Sequence, residues 1–295
     1  MYSNVGANKR NTVLIILGFV ALIALLGFLL ALAYNDWSIA LGVLLIASAY
    51  AGLQYFIAYK EIVAMTGARK ITKPDNPRLY NIVENLTLTA GLPMPEVYIM
   101  DDPAPNAFAA GRDPEHALVC ATSGLLNLMD DQQLTAVMAH EISHVKNYDI
   151  RVSTIVFGLV CLVGFIADFG WRLVYSNTGG SKDRDNSSPI TFLIILVTSL
   201  LAPLIAGLAQ MAVSREREYL ADSSAALLTR YPEGMISALT ALEKHGQPMR
   251  IQNPATEAMF INNPLSSKRL FNNLFSTHPP IAKRIERLKN AQTKF

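Results

Sequence analysis

The segment "MAHEISHVKNYD" (residues 138–149) places His140 and His144 four apart, with Glu141 directly after the first. On a helix, residues four apart lie on one face, one turn above the other. Both imidazoles can therefore reach one metal ion, while Glu141 projects beside them within reach of a water molecule. The flanking sequence reads as such a helix: Asp130 or Asp131 can cap it, and Leu134, Val137, Met138 and Val145 form an apolar stripe. Two imidazoles and an adjoining carboxylate suit zinc-assisted hydrolysis of an amide, with Glu141 taking the proton of the attacking water. A pattern this short also arises by chance, so the chemistry requires a third ligand.

"EREYLAD" is the expected source of that ligand. Glu218 and Asp222 are four apart and share a helical face. Glu218 can bind the metal, and Asp222 can accept a hydrogen bond from a ligand imidazole and so fix its orientation. Ala221 is small enough to let two helices approach. Glu216 lies about 200° around the helix from Glu218 and is expected to point away. The competing reading of Glu218 is one more solvated charge in the "RERE" run.

The elements that must position these groups include long apolar segments. The chain has 295 residues, of which 51% are hydrophobic and 16% charged, against about 25% charged in a typical soluble protein. No ionisable residue lies between Arg10 and Asp36, or between Asp36 and Lys60. About 20 apolar residues cross a bilayer core as a helix, so both runs qualify, with "YND" as the turn between them. A cleaved signal peptide is the competing reading of the first run. A third run covers about residues 152–169. Asp168 and Arg172 weaken it, and a buried helix or one lining a polar cleft is its alternative. A fourth covers about residues 190–213. The segment "SNTGGSKDRDNSSP" before it reads as an exposed loop. Basic residues flank the spans on one side: Lys9 and Arg10, then Lys60, Arg69, Lys70 and Lys73, then Lys146 and Arg151, then Arg215 and Arg217. The positive-inside rule assigns that side to the cytoplasm, and His140 and His144 with it.

The rest reads as a small α+β unit. "DNPRLYNIVENLTLTAGL" has Asn76 as N-cap, Pro77 at the first helical position, an apolar stripe of Leu79, Ile82, Val83 and Leu86, and Gly91 as the stop. "EVYIM", "NAFAAG" and "HALVCAT" read as three short strands. Helices are expected over "SREREYLADSSAALLTR", from Pro232 to about His245, and over "THPPIAKRIERLKN", where Ile281, Ile285 and Leu288 form the stripe. The expected fold is thus a mostly α membrane protein. Four transmembrane helices accompany a cytoplasmic α+β domain with a small sheet. Its parts are a hairpin over 1–60, a first cytoplasmic segment over 61–151, a second hairpin over 152–213 and a second cytoplasmic segment over 214–295. A net charge of +2 is too small to argue for nucleic acid. Cys120 and Cys161 give no disulfide framework and read as packing residues. His116 and His245 read as surface residues.

Taken together and in this order, "HEISHVKNYD", "SREREYLAD" and "STHPPIAKRIERL", with two spans before and two between, resemble the HtpX family of bacterial membrane heat-shock metalloproteases, relatives of the CAAX-processing prenyl proteases. The likeness runs over nearly the whole chain. Ser143 stands where many relatives carry glycine. The resemblance implies a zincin-like endopeptidase of the inner membrane with one Zn2+ per chain, its active site facing the cytoplasm. The implied ligands are His140, His144 and Glu218, with Asp222 behind them and Glu141 as base. It implies unfolded or misassembled membrane proteins as substrates, the bilayer as surroundings and other membrane quality-control proteases as partners. "NAFA", Asn106, Ala107, Phe108 and Ala109, resembles the edge strand that many zincins lay along their cleft, where an extended peptide adds by backbone pairing; the alternative is an ordinary core strand ending in a glycine turn. By the same likeness His278 of "THPP" lies near the zinc and donates to the oxyanion; the alternative is a cap on the last helix. Two other functions compete. A processing protease of the CAAX type would need a larger membrane chamber than four spans build. A scaffold with structural zinc would usually fill all four positions with protein ligands, often cysteine.

Overall fold

In the computed structural model, residues 2–178, 215–252, 256, 259–262 and 279–292 are described. The two uncharged runs form helices α1 (Tyr2–Tyr34) and α2 (Trp37–Thr66). Each holds a stretch long and apolar enough to cross a bilayer. The chain reverses at Asn35, in the left-handed region with φ 51, and Asp36 caps α2 by accepting from the Ser38 N–H at 2.9 Å. Leu14, Leu17, Leu41, Ile46, Leu53 and Phe56 point outward from the pair. A contiguous apolar surface of this kind fits lipid rather than water.

The third run continues as helix α6 (Asp149–Thr178), which starts at Asp149 rather than at the apolar boundary. Its Val152, Ile155, Val156 and Leu159 pack against Ile15, Phe19 and Ile23 of α1 and Ala47 and Ala51 of α2. The fourth run, with most of the polar loop ahead of it, lies outside the described residues.

The α+β unit is built on a four-stranded sheet. Its strands are β1 (Arg69–Lys70), β2 (Glu96–Met100), β3 (Ala107–Gly111) and β4 (Ala117–Thr122). They lie in the order β1-β2-β4-β3, with β2 and β4 parallel and the other two pairs antiparallel. Three strands are legible as apolar runs; β1 is not. It is two exposed charged residues held by pairing with Tyr98 and Ile99, so no periodicity announces it. Between β1 and β2 runs α3 (Pro77–Ala90), capped by the Asn76 side chain on the Leu79 N–H and closed by Gly91 at φ 67.

A short α4 (Ser123–Leu128) leads into α5 (Asp131–Lys146). Asp130, not Asp131, is the cap. Its side chain accepts from the Gln133 N–H while Gln133 returns a bond to the Asp130 backbone, a reciprocal capping box. Helix α5 is central: Leu134, Val137, Met138 and Ile142 are fully buried. Around it sit α7 (Arg215–Thr229), α8 (Pro232–His245) and α9 (Ile281–Gln292). Ala225 of α7, Met235 and Leu239 of α8 and Leu288 of α9 complete the core with the strands and α3.

Candidate metal centre

The site forms where α5 meets α7. Ala221 and Ala225 are fully buried on α7, and such small side chains let helix backbones approach closely. His140 and Glu141 are buried on α5, and Glu218 and Asp222 on α7. The ring donors converge. His140 Nε2 and His144 Nε2 stand 3.2 Å apart. Glu218 Oε1 lies 3.5 Å from His144 Nε2, and Glu218 Oε2 lies 3.7 Å from His140 Nε2. Bonds of about 2.0–2.2 Å at tetrahedral angles place neighbouring ligand atoms about 3.3–3.6 Å apart. The three separations are thus close to one face of a coordination tetrahedron, and His140, His144 and Glu218 can hold one metal ion between them. Two imidazole nitrogens and a carboxylate converging in a buried site form a donor set suited to a divalent cation.

Both Nδ1 atoms face a carboxylate. His144 Nδ1 hydrogen-bonds Asp149 Oδ2 at 3.0 Å, whereas His140 Nδ1 lies 3.0 Å from Asp222 Oδ1 as a close ion-pair contact without hydrogen-bond alignment. Carboxylates at both Nδ1 atoms leave both Nε2 atoms to face the site. Asp222 is itself gripped by Arg284 of α9, which donates from Nη2 to Oδ1 at 2.6 Å and from Nε to Oδ2 at 2.8 Å. This two-pronged pairing is completely buried. Burial works to raise the Asp222 carboxyl, but the Arg284 charge and hydrogen bonds outweigh it and hold its pKa at about 2. Burial works to lower His140, but Asp222 and Glu218 outweigh that and raise it to about 9. A cation entering here must therefore displace a proton from His140.

The remaining candidate residues fall as follows. Glu141 follows His140 on α5 and is buried, about 100° further around the helix. Glu216 is exposed and pairs with Arg287 at 3.1 Å, away from the donors. Cys120 is buried in β4, where burial pushes its thiol up, and Cys161 lies on α6 beside Met65. His278 lies outside the described residues.

Strand β3 is the edge of the sheet. Asn106 just precedes it, and Asn106, Ala107, Phe108 and Ala109 are all buried. Part of the edge is occupied by the chain itself. Ile261 donates its N–H to Ala107 O at 3.0 Å, and Phe108 and Phe260 form an antiparallel bridge. The Asn106 side chain clasps the Asn262 main chain, donating to its carbonyl at 2.8 Å and accepting from its N–H at 3.1 Å. The stretch read as an edge for an extended peptide thus has its Asn106 side chain engaged by the main chain of residue 262. Further along, the Asn106 carbonyl accepts from Thr122 of β4, whereas Ala107 O and Gly111 N bond away from β4. Alternation turns the Ala109 N–H and C=O to the same outer side, where the Phe108–Phe260 bridge sets them opposite residue 259.

Two residues of this centre escaped the sequence reading. Asp149 was quoted but given no role, because it is five residues from His144 and reaches back only through the break between α5 and α6. Arg284 had a readable signal. Ile281, Arg284, Ile285 and Leu288 follow the i, i+3, i+4, i+7 spacing of a buried face, so an arginine there was due a buried partner.

Residues 73–292 match the sequence profile of peptidase family M48. Over 296 residues the chain is 54% identical to a "Protease HtpX homolog" of Tropheryma whipplei strain Twist, covering 100% of both. It is 47% identical to the protein of that name from Streptococcus uberis, over 98% of this chain and 99% of the other. Among solved structures, S. mikatae Ste24p has a TM-score of 0.49 at 20% identity, over 85% of this chain and 57% of that one.

Proposed function

This chain belongs to peptidase family M48 and, within it, to the HtpX proteases, and from that premise we propose a zinc-dependent endopeptidase of the bacterial inner membrane that cuts cytoplasmic segments of damaged or misassembled membrane proteins. It is a membrane-associated metalloprotease; the metal's identity, the sidedness and the substrate class are the proposal. The observation that carries it is the triangle of His140, His144 and Glu218 donors, with a carboxylate 3.0 Å from the Nδ1 of each imidazole and the buried Glu141 next to His140 on α5.

His140 Nε2, His144 Nε2 and the Glu218 carboxylate would hold the zinc. When bound, zinc supplies Lewis acidity, lowering the pKa of a water and polarising the scissile carbonyl. Glu141 then takes the proton of the attacking water and passes it to the leaving amine nitrogen. Asp222 and Asp149 keep both rings turned inward, and Arg284 keeps Asp222 charged. The outward-facing Ala109 groups of β3 are suited to pair with an extended peptide, gripping backbone without reading sequence. A chain lying there would displace the 259–262 segment. The His278 imidazole is proposed to donate to the oxyanion. The basic flanks of the apolar runs support a cytoplasmic site. The substrate class is supported by position: α6 runs from beside His144 straight into the apolar helices, so polypeptide leaving the bilayer nearby meets the site at once.

The test uses the full chain in detergent with zinc, casein as unfolded substrate, and Glu141→Gln beside wild type. Glu141→Gln should keep its zinc and lose cleavage by at least ~100-fold; equal cleavage by both proteins would end this mechanism. In liposomes, a misassembled membrane reporter should be cut and its native form spared. Equal cutting of the two would reject the quality-control role.

A further inference from the structure

Helix α1 is apolar for most of its length, yet near its start it buries a polar side chain, Asn8, against the metal-site corner. The Asn8 amide donates from Nδ2 to Asn147 O at 2.8 Å and to Asp149 Oδ1 at 2.7 Å. Both hydrogens of one amide are thereby used. Asn147 is the residue that ends α5, and the other oxygen of Asp149 meets His144 Nδ1 at 3.0 Å. Three side chains thus connect the first apolar helix to a metal-site imidazole: Asn8, Asp149 and His144.

The corner itself needs holding. Tyr148, between α5 and α6, has φ 61, a left-handed backbone that a bulky side chain rarely adopts. Such a conformation persists only where its surroundings over-determine it. Here α1 again supplies a partner. The Lys9 ammonium lies 4.6 Å from the centre of the Tyr148 ring, and the Arg151 guanidinium lies 4.9 Å from it. Lower on the same helix, Ile15 and Phe19 pack against Val152 and Ile155 of α6. The cation recorded nearest Asp149 Oδ1 is Arg217 of α7, at 3.8 Å. Its longer reach leaves Asn8 as the close donor. The amide is suited to the task, because it offers two N–H groups and brings no charge into the apolar layer.

We propose that Asn8 is a positioning residue of the metal centre: it orients Asp149, Asp149 fixes the His144 ring, and α1 is therefore a working part of the site rather than an anchor alone. This rests on the reading of His140, His144 and Glu218 as metal ligands.

The test uses the full-length protein in detergent. Zinc affinity is measured by competition with a chelator, and ring geometry by the visible spectrum of the Co2+-loaded protein. Thermal melting and separate kcat and KM values on a peptide are measured alongside. Asn8→Ala should weaken zinc by about 10-fold, at the lower end of what outer partners of a ligand histidine contribute. It should also change the cobalt spectrum and lower kcat while leaving KM near wild type. Asn8→Leu, similar in size and at home in an apolar helix, should do the same while still melting cooperatively, and comparison of its metal-free form with metal-free wild type separates loss of metal from loss of fold. Asp149→Asn should have the larger effect, and Asn8→Leu added to it should cost little more, because both act through His144. Val13→Ala, on the exposed side of α1, serves as the control and should match wild type. Wild-type zinc affinity and cobalt spectrum in Asn8→Leu, or full additivity with Asp149→Asn, would overturn the proposal. His144→Ala decides the underlying reading separately: if it binds zinc as wild type does, the metal-ligand assignment fails first.

Discussion

Arg284 is a buried arginine on α9 that grips Asp222 and also stands 4.0 Å from the Glu218 carboxylate. Consider Arg284→Met, which keeps much of the volume and removes the charge. In the native site the guanidinium meets both Asp222 oxygens, at 2.6 and 2.8 Å, with both groups buried. The depression of Asp222 from 3.8 to about 2 corresponds to roughly 2–3 kcal/mol in favour of its charged form. Removing one partner of a buried pair also strands the other charge, and such truncations cost about 3–5 kcal/mol. We therefore expect Arg284→Met to destabilise the metal-free protein by about 3–5 kcal/mol at pH 7, read by denaturant unfolding in detergent. The sign of the pH dependence follows from the lowered carboxyl. Its contribution is fully present above the ordinary carboxylate value and is lost as pH falls toward about 2. The gap between wild type and Arg284→Met should thus narrow as pH falls below about 4, since a protonated Asp222 needs no cation. Adding Asp222→Asn should recover part of the loss at pH 7, because the carboxylate that met both prongs of the guanidinium is then replaced by a neutral amide, while Glu218, 4.0 Å from Arg284, keeps the rest of the loss. Zinc affinity should fall about 10–100-fold through the loosened His140 ring. An Arg284→Met protein with wild-type stability and zinc affinity at pH 7 would refute the account, as would a gap that stays constant from pH 7 to 3.

Glu218→Ala should strip the zinc and Glu216→Ala should retain it, because Glu216 is paired with Arg287 on the exposed side of α7; metal analysis of the two purified variants decides between them. Zinc retention should fall on acidification, since the His140 proton, held with a pKa raised to about 9, competes with the metal at every lower pH; flat affinity from pH 9 to 6 would contradict it. Ala109→Pro should impair peptide cleavage with zinc and melting temperature nearly unchanged, because the lost N–H faces away from β4. Phe108→Pro should instead destabilise the fold, since Phe108 bonds into the ladder. Normal cleavage by a well-folded Ala109→Pro protein would show that peptides bind elsewhere.

What could be read from the chain itself was local. Helix α3 with its Asn76 cap and Gly91 stop, the apolar runs of α1 and α2, and the shared faces of His140 with His144 and Glu218 with Asp222 all follow from spacings of three, four or seven residues. Those spacings are set by backbone geometry before any packing occurs. Packing decided the rest. Asp149 serves His144 only because Tyr148 breaks α5 from α6 in a left-handed turn. Arg284 serves Asp222 only because α9 closes over α7. Asn8 reaches the corner across 141 residues of sequence. Strand β1 exists only by pairing, and the edge at Ala107 is covered by a segment about 150 residues further on. A buried polar side chain looks in sequence like a solvated one. What distinguishes them is the partner that offsets the loss of water, and that partner is chosen by the way helices and strands come together.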